Sequence, residues 1–160
     1  MGMLIKQNLV IEDPWITIDV VDRPVSNYPW FSLLPLLALS SNDQQPLPQT
    51  WLGAWFEPQV NLDVFSSQIL SLPVLCIHVS DFHDGRAFSL AILLKRQIEY
   101  RGELRIAGNF LIDQMAILRD CGVDSFSLPD GSDVEHALFI LNNTPRSNST
   151  TTTLNKSGSL

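Results

Sequence analysis

Two stretches of the chain carry the clearest apolar pattern, 75–96 and 104–121. Each begins as a short apolar run, crosses a polar loop, and continues with apolar residues three and four apart, the spacing of a helix face. The unbroken run 74–79 predicts a buried strand. Ala87, Leu90, Ala91, Leu94 and Ile98 then predict the inner face of a helix over 88–98. A strand over 103–107 and a helix over 111–121 repeat the unit, with Leu111, Met115 and Leu118 facing inward and Gly122 placed as a C-terminal cap. Strands at 51–56 and 125–128 and short helices at 62–70 and 134–141 complete the regular part.

Ahead of residue 50 the pattern is less regular. A mixed arm over 1–14 holds a strand at 9–11, and 15–21 alternates as a β-branched strand that Asp22-Arg23-Pro24 ends. The apolar stretch 28–39 predicts a short helix starting near Trp30, or one begun at Pro35. A polar, proline-bearing loop over 40–49 then marks a boundary, and from Asn142 the chain is low in complexity and expected to be disordered. The expected organisation is an N-terminal attachment of strand, short helix and loop (1–49), a βα core (50–141) and a tail (142–160). Strands that alternate with helices pair in parallel through right-handed crossovers. The fold class is therefore α/β: a small, mainly parallel sheet of about four βα units, open or half-barrel-like, since a closed eight-stranded barrel needs roughly 250 residues. Ligands of such sheets bind outside the carboxyl ends of the strands. That rule puts 80–86 and 108–109 on one rim.

Composition narrows the chemistry. The chain has 160 residues, 45% of them apolar and 17% charged, with a net charge of −7. An acidic balance of this size removes the field that nucleic-acid binding requires. Yet Arg86, Lys95, Arg96, Arg101, Arg105 and Arg119, six of the ten basic residues, fall between 86 and 119, which leaves room for a small anion. Cys76 and Cys121 form no CxxC pair, and with no leader-like segment at the start a reducing cytoplasm is the expected setting. The apolar run 33–39 is too short to span a membrane. GxGxxG, GxxxxGK[ST] and GxSxG are all absent, and two cysteines fall short of the four or so thiolates of an iron–sulfur cluster. No cofactor and no metal site is expected, and no catalytic residue is identified.

The stretch FHDGRAFSLAILLKRQIEYRGELRIAGNFLIDQMAILRDCGVDSFSL, residues 82–128, resembles a bacterial family, domain-of-unknown-function family 934, described as probable oxidoreductases of sulfite reduction. Its members read close to F-x-DGRG-Y/F-S-x-A-x-LL-R, then GELRA-x-GDVL-x-DQL, then RCGFDAF. Asp84, Gly85, Arg86, Ser89, Arg105, Gly108, Asp113, Gln114, Cys121 and Asp124 match that pattern residue for residue. Ala87 stands where the pattern has a glycine, and Asn109 where it has an aspartate. An amide donates and accepts hydrogen bonds but is no base at neutral pH. The resemblance implies a role in sulfur assimilation without supplying a mechanism.

The ligand or interface candidates are Asp84, Gly85, Arg86, Arg105, Asn109, Asp113 and Gln114. Asp84 and Gly85 read first as the cap and turn ahead of a helix, and only second as ligand contacts. Arg86 sits in a first helical turn, where the macrodipole disfavours a cation, so it calls for an anionic partner, Asp113 or a ligand. Arg105 lies mid-strand and predicts a buried ion pair with Asp113 or Asp124, ahead of a substrate contact. One of Gln114 and Asp113 is expected to satisfy backbone groups near Asn109. His83 lacks a second ligand at metal spacing, and Cys121 at a helix end reads as packing.

Two functions follow. The first is an accessory protein that binds a sulfite-reducing enzyme or its electron donor, acidic surface to basic partner. The second is an oxidoreductase-like enzyme or small-oxyanion (sulfite) binder that uses the rim; the sequence leaves turnover open. Uncovered sheet edges also leave room for a homo-oligomer.

Overall fold

The computed structural model of the chain describes residues 2–41 and 45–147. The chain opens with a hairpin of β1 (Met3–Lys6) and β2 (Leu9–Glu12). Its two turn residues, Gln7 and Asn8, have φ of 52° and 58°, the left-handed pair that a tight hairpin of right-twisted strands requires. There follow β3 (Ile16–Thr17), β4 (Ser32–Pro35), α1 (Leu36–Ser40) and β5 (Leu52–Phe56). The regular units come next: α2 (Ser67–Leu70), β6 (Val74–Val79), α3 (Arg86–Ile92), β7 (Glu103–Gly108), α4 (Met115–Asp120), β8 (Ser125–Leu128) and α5 (Val134–Asn143).

All eight strands join one sheet in the order β2-β1-β8-β7-β6-β5-β4-β3. β3 to β8 pair in parallel in sequence order, and β1 is antiparallel to both β2 and β8. The sheet is thus larger than about four βα units, and the fold is mixed α/β. The arm over 1–14 supplies two of its strands. The strand expected over 15–21 shrinks to Ile16–Thr17. Around Trp30 the expected helix is instead the lead into strand β4, and the helix begins only after Pro35, whose fixed φ suits a helix start. Asn142 and Asn143, assigned to the tail, complete α5, and the amide and hydroxyl of Ser147 bond to Asp120. Residues 148–160 of that tail, and 42–44 of the preceding polar loop, lie outside the described residues.

The connection between β2 and β3 forces the sheet to curl. These strands are its two edges, seven strand spacings apart, about 33 Å if the sheet were flat. Only Asp13, Pro14 and Trp15 separate them, and four residue steps reach about 14 Å. The edges must therefore approach each other, which gives the half-barrel form.

Curling divides the side chains by strand parity. Leu52, Ala54, Leu75, Ile77, Leu104, Ile106 and Phe126 face the helices and share one core with Leu36, Ile69, Ala91, Leu94, Met115, Leu118 and Ala137. The other parity fills the inside of the curl, where Leu33, Val74 and Cys76 meet Trp15, Trp55 and Ala107. The indole of Trp55 donates to the Ile18 carbonyl at 2.9 Å, tying the crossing segment to the sheet beneath it.

Candidate functional site

Two loops at the carboxyl ends of β6 and β7 meet on one rim. Their approach depends on Gly108, whose φ of +90° and whose position against the Val79 carbonyl exclude any side chain. The next amide, Asn109 N–H, donates to that carbonyl at 2.6 Å, and the Asn109 side chain donates to the Ser80 carbonyl at 3.0 Å. Gln114 accepts from the Leu111 amide at 3.0 Å and donates to the Phe82 carbonyl at 3.2 Å. Asn109 and Gln114 therefore brace the loop that follows β6. Of the two residues expected to satisfy backbone groups here, Gln114 does so and reaches across two loops.

Asp84 and Arg86 close on each other. Asp84 Oδ1 accepts from the Arg86 backbone amide at 3.1 Å and from Arg86 Nε at 2.8 Å, while Oδ2 accepts from Nη2 at 2.8 Å. The anionic partner that Arg86 needs in a first helical turn is thus Asp84, two residues away, and Asp113 instead faces His136 at 3.3 Å. The Arg86 side chain, ahead of its backbone amide, holds the Asp84 carboxyl below the usual range. Gly85 forms the turn between them with ordinary helical angles. His83 lies against the Phe82 ring and bonds Asp81 Oδ1 at 2.9 Å.

What remains open on the rim is a hollow in which apolar side chains stand among polar ones. A cavity of about 550 Å³ is lined by Ser80, Asp81 and Phe82 from one loop and Asn109, Phe110 and Leu111 from the next. Phe82 and Leu111 expose 40% and 43% of their surface beside it. Leu111, expected on an inner helix face, instead precedes the helix, because a 3₁₀ turn over Ile112–Gln114 delays α4 to Met115.

Arg105 is far from this rim in character. It lies 1% exposed on the inner face of the curl. Its Nη1 donates to both oxygens of Asp13 at 2.8 and 2.7 Å, and its Nη2 donates to Glu103 Oε1 at 2.9 Å. The buried ion pair is as expected, but its partners are Asp13 and Glu103 rather than Asp113 or Asp124. Asp124 instead bonds Lys95 and the Leu104 amide, at the amino ends of β7 and β8. Glu103 also accepts from Ser125 Oγ at 2.6 Å and Lys6 Nζ at 2.5 Å. Burial raises the Glu103 carboxyl, but the bonds from Lys6, Ser125 and Arg105 outweigh it and leave the pKa below the usual value. Cys76, paired in register with Arg105, is pushed up to about 12 by burial, so its thiol is inert at neutral pH.

A second concave region escapes sequence reading. At the amino ends of β7 and β8 a cavity of about 470 Å³ is lined by Lys6, Lys95, Arg101, Arg119 and Arg146, with Glu103 and Asp124. The clustering of basic residues over 86–119 was its sequence signal. Only the fold shows that three of those six, Lys95, Arg101 and Arg119, gather here, away from the rim.

Among the described residues no group of three His, Cys, Asp or Glu side chains is placed to hold a metal ion, and no helix is long and apolar enough to cross a membrane. Residues 53–154 match the model of a family described as "Bacterial protein of unknown function (DUF934)". No curated protein and no solved structure matches the chain.

Proposed function

The chain belongs to the bacterial DUF934 family, and we propose that it is an accessory protein of sulfite reduction that docks a redox partner on the rim after β6 and β7. The sulfur assignment rests on the resemblance carried by DGR, GELR, DQ and CG-x-D. The docking role rests on one observation: the polar groups of the rim bond to one another, leaving Phe82 and Leu111 exposed around an open hollow. A catalytic centre needs polar groups aimed at a reacting atom. A docking surface needs apolar anchors with a polar surround.

Charge supports the same reading. Asp81, Asp113 and Asp130 flank the rim's strand ends, and its one arginine, Arg86, is engaged by Asp84. An acidic rim steers a basic partner, here a sulfite-reducing enzyme or its electron donor. The alternative, an oxidoreductase-like enzyme or a sulfite binder at this rim, would have to draw Arg86 away from Asp84.

The test is a pull-down from cells grown on sulfate as sole sulfur source, with prey identified by mass spectrometry. The tagged protein recovers a sulfite-reducing enzyme or its electron donor, and Phe82→Ser/Leu111→Ser loses it while keeping the native circular dichroism spectrum. Equal recovery by the double variant removes the rim from the interface. A specific prey unrelated to sulfur chemistry removes the pathway assignment.

A further inference from the structure

We propose that the cavity at the amino ends of β7 and β8 is a second binding site, one that takes the phosphoryl or sulfuryl group of a small multiply charged ligand. It lies at the opposite end of the parallel strands from the rim and does not depend on the docking role proposed there.

The charge balance is the first argument. The protein carries −7, yet this hollow is lined by five cationic side chains and two carboxylates. Each carboxylate is tied to a lysine, Glu103 to Lys6 at 2.5 Å and Asp124 to Lys95 at 2.6 Å. Arg119 is 9% exposed and donates to the carbonyls of Leu141 and Thr144, both at 2.9 Å, which close the end of α5. Arg101 and Arg146 have no hydrogen-bond or ion-pair partner among the described residues, and both are exposed at the mouth. Two such arginines lining one hollow offer an anion between them two favourable charges. Their planar donor forks match the oxygen geometry of phosphate and sulfate.

The second argument is how the backbone shapes the hollow. Past α3 the helix widens into a π turn, Leu93–Gln97, in which Ile98 N–H reaches the Leu93 carbonyl at 2.9 Å. Such turns mark functional sites more often than chance. This one carries Lys95 to the cavity wall, where its ammonium bonds the Gly102 carbonyl at 2.9 Å. Gly122, at φ +110°, packs directly against that lysine, where a Cβ would lie 2.8 Å from both Cβ and Cγ of Lys95. A volume of about 470 Å³ falls within the ordinary range for small-ligand sites, roughly 300–1,000 Å³. That exceeds the needs of a bare ion and suits a charged group on a small organic body.

The experiment is a titration followed by amide chemical shifts at low ionic strength, with inorganic phosphate, sulfate, sulfite and pyrophosphate as separate probes. At least one probe gives saturable shifts centred on Gly102, Gly122 and Val123, and the order of affinities separates a phosphoryl from a sulfuryl ligand. Arg101→Gln/Arg146→Gln, two exposed positions whose change leaves the fold intact, weakens that probe about tenfold or more, while Arg86→Gln leaves it unchanged. Absence of saturation with every probe, equal affinity in the double variant, or shifts centred on Ser80 and Asn109 would each overturn the proposal.

Discussion

Arg105 keeps a full charge inside the protein because three chain segments converge on it. Glu103 lies two residues away on the same strand, Ser125 stands opposite in register, and Asp13 arrives from 92 residues upstream. Neutralising one member exposes the rest. Glu103 gives this network a pH signature. Its folded pKa lies below the ordinary value of 4.5, so below that pH the unfolded chain binds the proton more readily than the folded one. Stability is therefore full above about 4.5 and declines as pH falls through the lower folded value. Glu103→Gln is expected to lower stability at neutral pH and to flatten this acid limb, as read from urea midpoints between about pH 6 and pH 3. An unchanged slope would show that Glu103 does not carry the dependence. The mid-strand position of Arg105 announced a buried ion pair; its partner Asp13 was hidden by sequence distance, since nothing local connects residue 13 to residue 105.

Elements with a strong internal rhythm were legible in the chain. β6 and β8 fall where the apolar runs place them, and Ala87, Leu90, Ala91 and Leu94 bury as one helix face. Short elements were less legible because their form depends on what they pack against. The Ser32–Pro35 segment is apolar enough for a helix, but it hydrogen-bonds between β3 and β5 and so extends. The π turn after α3 is likewise decided by its surroundings, where Lys95 and Gly122 meet. Gly122→Ala is expected to destabilise the protein by about 1 kcal/mol or more, from left-handed strain and contact with Lys95. It should also disturb the amides of the basic cavity, while Gly131→Ala, at φ +80° with open space around it, gives the strain alone. Comparing the two by denaturant unfolding separates contact from backbone conformation; equal losses would remove the contact from the account.

On the scale of the whole molecule, the N-terminal hairpin and the segment after it hold the curl in place. β1 covers β8, and Asp13 to Trp15 pass inside the sheet to reach the far edge. Deleting residues 2–14 would bare the β8 edge and remove one of the two carboxylates that neutralise Arg105, the latter alone worth about 3–5 kcal/mol. The expected result is loss of a cooperative thermal transition and association on size exclusion. A monomer that melts as the full chain does would refute this role. The same architecture separates charge, with the acidic rim at one end of the parallel strands and the basic cavity at the other.

What the sequence determined by itself is local: the alternation of strand and helix from residue 51 onward, the Gly122 cap, the joining of the loops after β6 and β7 on one rim, and the family motifs that those loops carry. Such features follow from periodicity and turn chemistry within some 20 residues, where backbone sterics and side-chain spacing decide the outcome. The tertiary structure alone decided the size and curl of the sheet, the partners of Arg105 and the gathering of Lys6, Lys95, Arg101, Arg119 and Arg146 around one hollow. Each of these is a choice among several charges or edges of equal local fitness. Only the geometry of the closed chain, which sets the distances between them, selects one.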